Sequence, residues 1–195
     1  MRVIVFLVAL FAASIPLQAS ADFRDGMRAY KEGAYSTAYQ RWLVLAKKGN
    51  AKAQNNLGIL YRRGLGVKKD PIEAVKWYQK AADQGFAKAQ FNLGLMYKQG
   101  NGVAKDIRKA VELYILSAEN GYNRAQFAVG LRFERGKGVE KDPVKALKWF
   151  NLALDRASGR FRKSVATARD RISESLTDSE IQKAEKLAED FKRDS

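Results

Sequence analysis

The chain of 195 residues contains no cysteine. Without a thiol it can form no disulfide bond, hold no iron–sulfur cluster and supply no cysteine nucleophile. It also contains no histidine, which removes the usual general base of serine and cysteine hydrolases and the commonest zinc ligand. Together, the two absences exclude the enzymes that depend on a cysteine or a histidine. They restrict the function of the chain more than any motif in it does. We therefore expect no enzyme activity, no bound metal and no cofactor.

Proline is also scarce, with three residues in the whole chain. Hydrophobic residues make up 46% of the sequence and charged residues 29%, which is enough apolar material for a folded core. The abundant alanine, lysine, leucine and glutamate all favour helix. The composition therefore predicts an all-α protein.

Positive charge is in excess. The chain has 36 lysines and arginines against 21 aspartates and glutamates, a net charge of +15. Such a balance favours acidic partners, which include acidic proteins, anionic lipids, nucleic acids and anionic wall polymers. A purely solubilising role for the charge is the alternative, and composition does not separate the two.

The first 21 residues have the pattern of a secretory signal peptide. Arg2 gives a short positive region, and Val3–Ala13 is an unbroken apolar run of eleven residues. Ala19-Ser20-Ala21 is an A-x-A cleavage motif. The apolar run is shorter than the roughly 20 residues of a membrane-spanning helix, although an uncleaved anchor is the rival interpretation. We expect cleavage after Ala21 and a mature protein in the periplasm or outside the cell.

The middle of the chain repeats every 36 residues. The three units are Ala51–Phe86, Ala87–Tyr122 and Asn123–Ser158, which align without a gap and share nine identical positions. A fixed period of this length is typical of stacked helical repeats. The spacing predicts a solenoid in which each unit contributes one layer.

Each unit reads as two antiparallel helices. In the first unit, the spacing of the apolar residues predicts a helix over 52–63. Gly64 should end this helix, because glycine readily adopts the left-handed conformation found at helix C-termini. Asp70 is placed to cap a second helix, with Pro71 as its first residue, and this helix is expected to end near Gln84. The G-x-G turn between the helices lacks the flanking residues of a phosphate-binding loop, so we interpret it as a structural turn.

One glycine recurs inside the first helix of every unit. Gly58, Gly94 and Gly130 each cost helix stability of about 1 kcal/mol relative to alanine. Their recurrence predicts that the second helix packs too closely at this point for a side chain.

The flanking segments are less regular. Residues 22–50 form a shortened helix pair, in which Ala38 corresponds to Ala74. Residues 159–195 are predicted to be two helices that cap the end of the solenoid. Phe161, Val165, Ala168 and Ile172 form the apolar stripe of the first, and Thr177 opens the second with a capping box.

The repeated pattern resembles that of the Sel-1-like repeats, a branch of the tetratricopeptide-type helical repeats. The residues of the first unit that carry the resemblance are Ala53, Gln54, Leu57, Gly58, Tyr61, Gly64, Gly66, Val67, Asp70, Ala74, Trp77, Tyr78, Ala81 and Gly85. The resemblance covers 51–158 strongly and 22–50 weakly. It implies an adaptor that holds protein complexes together, and no catalysis.

The resemblance to tetratricopeptide repeats also places a binding groove along the first helices. Groove residues are expected at the second, fifth, ninth, twelfth and thirteenth positions of the units. The candidate partner-binding residues are Lys52, Asn55, Arg62, Arg63, Lys88, Phe91, Lys98, Arg124, Phe127 and Arg135. Cations beside two aromatic rings would suit an extended acidic segment of a protein. The alternative is an ordinary solvated helix face.

A second basic cluster lies on the predicted cap helix, at Arg160, Arg162, Lys163, Arg169 and Arg171. We interpret it as a solvated face. The function that the sequence favours is an exported protein–protein interaction module in the bacterial envelope. A binder of anionic wall polymer or glycan is the alternative, and neither nucleic acid nor a membrane span is expected.

The signal-peptide interpretation predicts that Asp22 is the mature N-terminus. The short apolar run should direct export, and the A-x-A motif should direct cleavage. N-terminal sequencing of protein recovered outside the cytoplasm checks this. Recovery of chains that begin at Met1 in the membrane fraction would show an uncleaved anchor instead.

Overall fold

The computed structural model describes residues 15–194, and side chains from residue 23 onward. All regular structure in that range is helical. The helices are α1 (Ile15–Lys31), α2 (Tyr35–Lys47), α3 (Ala51–Arg63), α4 (Pro71–Ala82), α5 (Ala87–Gln99), α6 (Ile107–Glu119), α7 (Asn123–Arg135), α8 (Pro143–Asp155), α9 (Gly159–Ser173) and α10 (Asp178–Arg193). From α1 to α9 each helix packs on the next in the chain, as in a solenoid of helix pairs. The predicted all-α solenoid is confirmed.

The helix ends follow from the repeated polar residues. The Asp70 carboxylate accepts a hydrogen bond from the backbone N–H of Glu73 at 2.9 Å, and Asp106 and Asp142 cap α6 and α8 in the same way. Each cap pairs one of the free N–H groups in the first turn of a helix. Gly64 ends α3 in the left-handed conformation at φ 70°. The predicted caps are therefore present, and α4 ends two residues before Gln84.

The second glycine of each G-x-G turn lies at a contact between neighbouring units. Gly66 has φ 68°, and a Cβ there would overlap the backbone of Tyr35 at the start of α2. Gly102 has φ 74° and lies against the Pro71 carbonyl at the start of α4. A side chain is excluded both by the conformation and by the contact. The turn of one unit thus rests on the second helix of the unit before it.

The glycines inside the first helices lie against aromatic rings. A Cβ on Gly58 would be 2.5 Å from Cε1 of Tyr78, and a Cβ on Gly94 would be 2.7 Å from Cε1 of Tyr114. Gly130 meets Phe150 in the same way. These rings are fully buried. The predicted close approach of the two helices is confirmed, and its cause is one large ring in each unit.

A buried glutamine links successive units. The Gln54 amide donates to the Ala46 carbonyl at 3.1 Å and accepts from Gln84 at 2.6 Å. Gln90 makes the equivalent bonds to Ala82 and Asn120. A buried amide must be paired on both sides to avoid a desolvation cost. The buried glutamine therefore connects successive units through hydrogen bonds and is not a surface residue.

The flanking helices depart from the regular pattern at the C-terminus. Ala38 is fully buried in the first pair, and the capping box of Thr177 with Glu180 is formed. However, the backbone of α10 lies closer to α8 than to α9, unlike the helices of the preceding pairs, although Ala184 of α10 shares a buried cluster with residues of α9. The role of residues 159–195 as a cap stays a prediction.

Residues 1–14 of the predicted signal peptide lie outside the described residues. The remaining part, with the A-x-A motif, belongs to the first turns of α1. Cleavage after Ala21 would leave α1 with residues 22–31. Within residues 15–194, no helix is long and apolar enough to span a membrane.

Replacing Gly94 with leucine should lower the free energy of unfolding by about 3 kcal/mol or more, because overpacking a filled contact strains the core. The leucine would meet the buried Tyr114 ring. Chemical denaturation followed by circular dichroism measures the change. Gln99→Leu, at an exposed position next to the end of the same helix, is the control and should change stability by less than about 0.5 kcal/mol. Equal stability of the two variants would show that Gly94 is not a contact site.

Candidate functional site

The first helices α3, α5 and α7 share one face of the solenoid, which we call the first-helix face. A hydrogen bond of 2.9 Å from the Asn92 amide to the Asn55 side-chain carbonyl joins two of them directly. Stacked units with a small constant rotation give such a face a concave shape. All ten candidate binding residues belong to these three helices, but the structure gives them different roles.

The cations at the helix starts are exposed. Lys52, Lys88 and Arg124 occupy equivalent positions and are open to solvent. The Arg124 guanidinium lies 5.8 Å from the Phe161 ring centre, a cation–π contact with the first flanking helix. These residues form a row at one edge of the first-helix face, about 15 Å along the helices from the cations at the other end.

The two candidate aromatics are half-buried packing residues. The Phe91 ring centre is 5.2 Å from that of Tyr114 and 5.4 Å from that of Tyr122. Phe127 packs between Phe150 and Phe161, at 5.7 and 5.6 Å. Only part of each ring faces solvent. That the two rings anchor a partner stays a prediction. Their packing against buried aromatic rings, in contrast, is seen directly in the structure.

Asn55 has little surface to offer a partner. Its exposed fraction is 4%, and its side chain is engaged with Asn92 and Asn56. The fifth position of the first unit is therefore a polar tie between α3 and α5. The sequence does not distinguish this tie from a groove contact, because the asparagine partner lies 37 residues further along the chain.

The cations at the helix ends divide into two groups. Arg63 donates to the Tyr30 hydroxyl at 2.9 Å, and Arg62 is half-buried close to Tyr78. Both are thus engaged with the N-terminal units. Lys98 and Arg135, in contrast, line an open pocket. The structure brings together these two of the candidate cations.

This pocket, which we call the seam pocket, lies between α5 and α7 and has a volume of about 350 Å³. Its lining consists of Phe91, Leu95, Lys98, Tyr114, Ala128, Leu131, Arg132, Arg135 and Lys137. Leu95, Leu131, Arg132 and Lys137 were not among the sequence candidates. Arg132 could have been singled out from the sequence, because the other two units have leucine and methionine at the equivalent position.

The seam pocket is electropositive over an apolar floor. Lys98, Arg132, Arg135 and Lys137 are its only ionisable residues besides Tyr114. Burial raises the pKa of Tyr114 to about 12, and the nearby Arg132 partly opposes that shift. A tyrosine is protonated at neutral pH even at its ordinary pKa of about 10, so the hydroxyl can donate a hydrogen bond. This combination suits an anionic group carried beside an apolar one.

Three of the five cations in the basic cluster of α9 have partners within the protein. Arg171 makes two hydrogen bonds to the Glu134 carboxylate, at 2.9 and 2.7 Å. Arg162 donates to the Leu154 carbonyl at 2.8 Å, and Arg169 pairs with Asp170. These partners support the interpretation of the cluster as a solvated structural face.

The pattern of the Sel1 repeat matches residues 51–86, 87–122 and 123–158, which are the three units that the periodicity predicts. Together they make up more than half of the chain. The chain belongs to the Sel1 repeat family. Sel1 repeats generally mediate protein–protein interaction.

Solved structures support the same fold. A Sel1 repeat protein from Oxalobacter formigenes is 37% identical, with a TM-score of 0.69 over 75% of this chain and 58% of that one. The protein c5321 of uropathogenic Escherichia coli, described as a protective antigen with an SLR fold, is 29% identical, with a TM-score of 0.58 over 89% of this chain and 45% of that one.

A curated relative matches over a shorter stretch. The putative sel1-like repeat-containing protein L18 of Acanthamoeba polyphaga mimivirus is 49% identical over 41 residues, which are 21% of this chain and 7% of that protein. The present chain thus spans less than two thirds of these relatives. The similarity establishes the Sel1 repeat and not the function of any whole relative.

The packing of Phe127 predicts a structural effect of its removal. Phe127→Ala should lower the free energy of unfolding by about 2 kcal/mol, less than for a fully buried phenylalanine because the ring is partly exposed. Thermal and urea unfolding measure the loss. Lys88→Ala, an exposed change on the same face, serves as control and should alter stability by less than about 0.5 kcal/mol. If Phe127→Ala unfolds like wild type, the ring is free for a partner.

Proposed function

We propose that this Sel1 repeat protein is an exported, non-enzymatic interaction module that binds a segment of a partner protein on the first-helix face. The observation that carries the proposal is the seam pocket, where four cationic side chains surround an apolar floor. Binding energy in protein interfaces concentrates in such pockets, where an anchor side chain is desolvated. The remainder of the face supplies complementarity.

Export is the second part of the proposal. It rests on the positive, apolar and A-x-A segments of residues 1–21, which have the order of a signal peptide. The mature protein would then meet its partner in the periplasm or outside the cell, as part of an adaptor or regulator of the envelope.

The chemistry of the partner follows from charge. The excess of lysine and arginine gives the chain a net charge of +15, and the exposed cations of the first-helix face lie at both of its edges. Such a surface speeds association with acidic partners and loses that advantage as salt rises. An extended acidic segment of a protein suits the face best.

The same charge favours an anionic wall polymer or glycan as a second candidate ligand. Sedimentation with purified wall sacculi separates the two ligands. Retention of the protein at physiological salt would support the polymer, whereas retention that disappears with added salt reflects charge alone.

The absence of native cysteine allows a direct test in cells, because an introduced cysteine can be labelled uniquely. Gln99→Cys carries a photoreactive label at an exposed position next in the chain to Lys98, which lines the seam pocket. We expect irradiation to attach it to one protein partner, since the bound segment would lie within reach of the label. The partner is then identified by mass spectrometry.

Gln40→Cys provides the matched control. It also replaces an exposed glutamine, but on α2, away from the first-helix face. Labelling of the same protein from both positions, or from Gln40 alone, would contradict binding on the first-helix face. Attachment to glycan from the Gln99 position would favour the wall polymer.

A further inference from the structure

The seam pocket exists because the third unit differs from the other two at one packing position. The tenth residue of each unit lies at the seam with the preceding unit. Leu60 and Met96 fill this position and are fully buried, in clusters that contain Trp42 and Tyr78, respectively. The third unit has Arg132 there, half-buried at 6.0 Å from the Tyr114 ring centre. A charged group cannot fill an apolar seam without a partner.

A second difference opens the seam further. At the sixth position, Asn92 reaches back to Asn55 and closes the space between α3 and α5. The third unit has Ala128 at that position, and alanine can make no such bond. The space between α5 and α7 is therefore left open as a pocket of about 350 Å³. That volume lies at the lower end of the range for ligand sites, about 300–1,000 Å³.

The Arg132 guanidinium is unpaired. No described residue accepts a hydrogen bond from it or forms an ion pair with it, and its neighbour in the pocket is the face of Tyr114. The Glu134 carboxylate, two residues along the chain, pairs with Arg171 through Oε1 and lies 3.8 Å from Arg135 through Oε2. Arg132 can therefore offer a planar pair of N–H donors to a carboxylate.

The Tyr114 hydroxyl is a second unpaired group. Tyr114 is 1% exposed, and its Oη is buried without a hydrogen-bond partner. A buried hydroxyl without a partner costs free energy that an incoming acceptor would recover. Two groups of the same pocket, a guanidinium without a protein partner and a buried hydroxyl without a partner, can thus donate to one incoming acceptor.

We propose that the seam pocket binds a carboxylate side chain of a partner protein, from an acidic segment in which an apolar residue is adjacent. Arg132 and Tyr114 would donate to the carboxylate, and the apolar neighbour would rest on Leu95 and Leu131. Lys98, Arg135 and Lys137 would attract the rest of the segment. This inference rests on the proposed function and names the partner chemistry at one position.

The probe is a short fluorescent peptide in which glutamates flank a leucine, compared with a twin that has glutamine in their place. Fluorescence anisotropy should show tighter binding of the glutamate peptide. Arg132→Met restores the residue type of the second unit at the seam. It should weaken binding by at least about tenfold, because the buried charged donor is lost, while the midpoint of thermal unfolding stays the same or rises.

Lys47→Met is the matched control. It removes the same charge from an exposed position on α2, away from the first-helix face, and should leave binding nearly unchanged. A second pair of variants tests the hydroxyl: Tyr114→Phe should weaken binding several-fold without loss of stability, and Tyr78→Phe, whose hydroxyl is also buried and unpaired, should not.

Three results would overturn the proposal: no binding of the glutamate peptide, equal binding of its glutamine twin, or equal weakening by Arg132→Met and Lys47→Met. If this happens while the Gln99 label still reaches a protein partner, the seam pocket is wrong and the proposed function stands. If the peptide binds through Arg132 but the label reaches no protein, the pocket stands and the proposed function fails.

Discussion

The contact between one buried ring and one glycine in each unit sets the geometry of the whole solenoid. Tyr78, Tyr114 and Phe150 press on glycines of their own first helices, so the spacing of the two helices repeats from unit to unit. Because neighbouring units stack on these pairs, a constant spacing gives a constant stacking geometry. The caps, the G-x-G contacts and the buried glutamines can then recur at the same places.

Much of this framework could be predicted from the sequence, since it depends on local rules. Asp70 caps a helix through its own backbone neighbours, and Gly64 ends one by its left-handed conformation. The need for a glycine at position 94 could also be inferred, because nothing else explains a helix-weakening residue that recurs in register. These features involve residues whose partners lie within one unit.

The candidate site was less predictable because its contacts cross between units. Phe127 is the residue type of a partner anchor, but packing against Phe161 of α9 gives it a structural role. Arg132 and Ala128 stand out only when the units are searched for positions at which their residues differ. A repeat, in contrast, is recognised from the positions at which its units have the same residue. The side-chain contacts across a seam also depend on how one unit is rotated on the next, which periodicity does not give.

The outer surface of α9 has a consequence for assembly. Val165, Ala168 and Ile172 are buried, while the side of the helix that carries Arg160 and Lys163 is exposed. Burial of that side against another surface would strip water from both cations, at a cost in free energy unless the surface placed carboxylates opposite them. An apolar surface is therefore a poor neighbour for this side of α9, in contrast to the opposite side of the same helix.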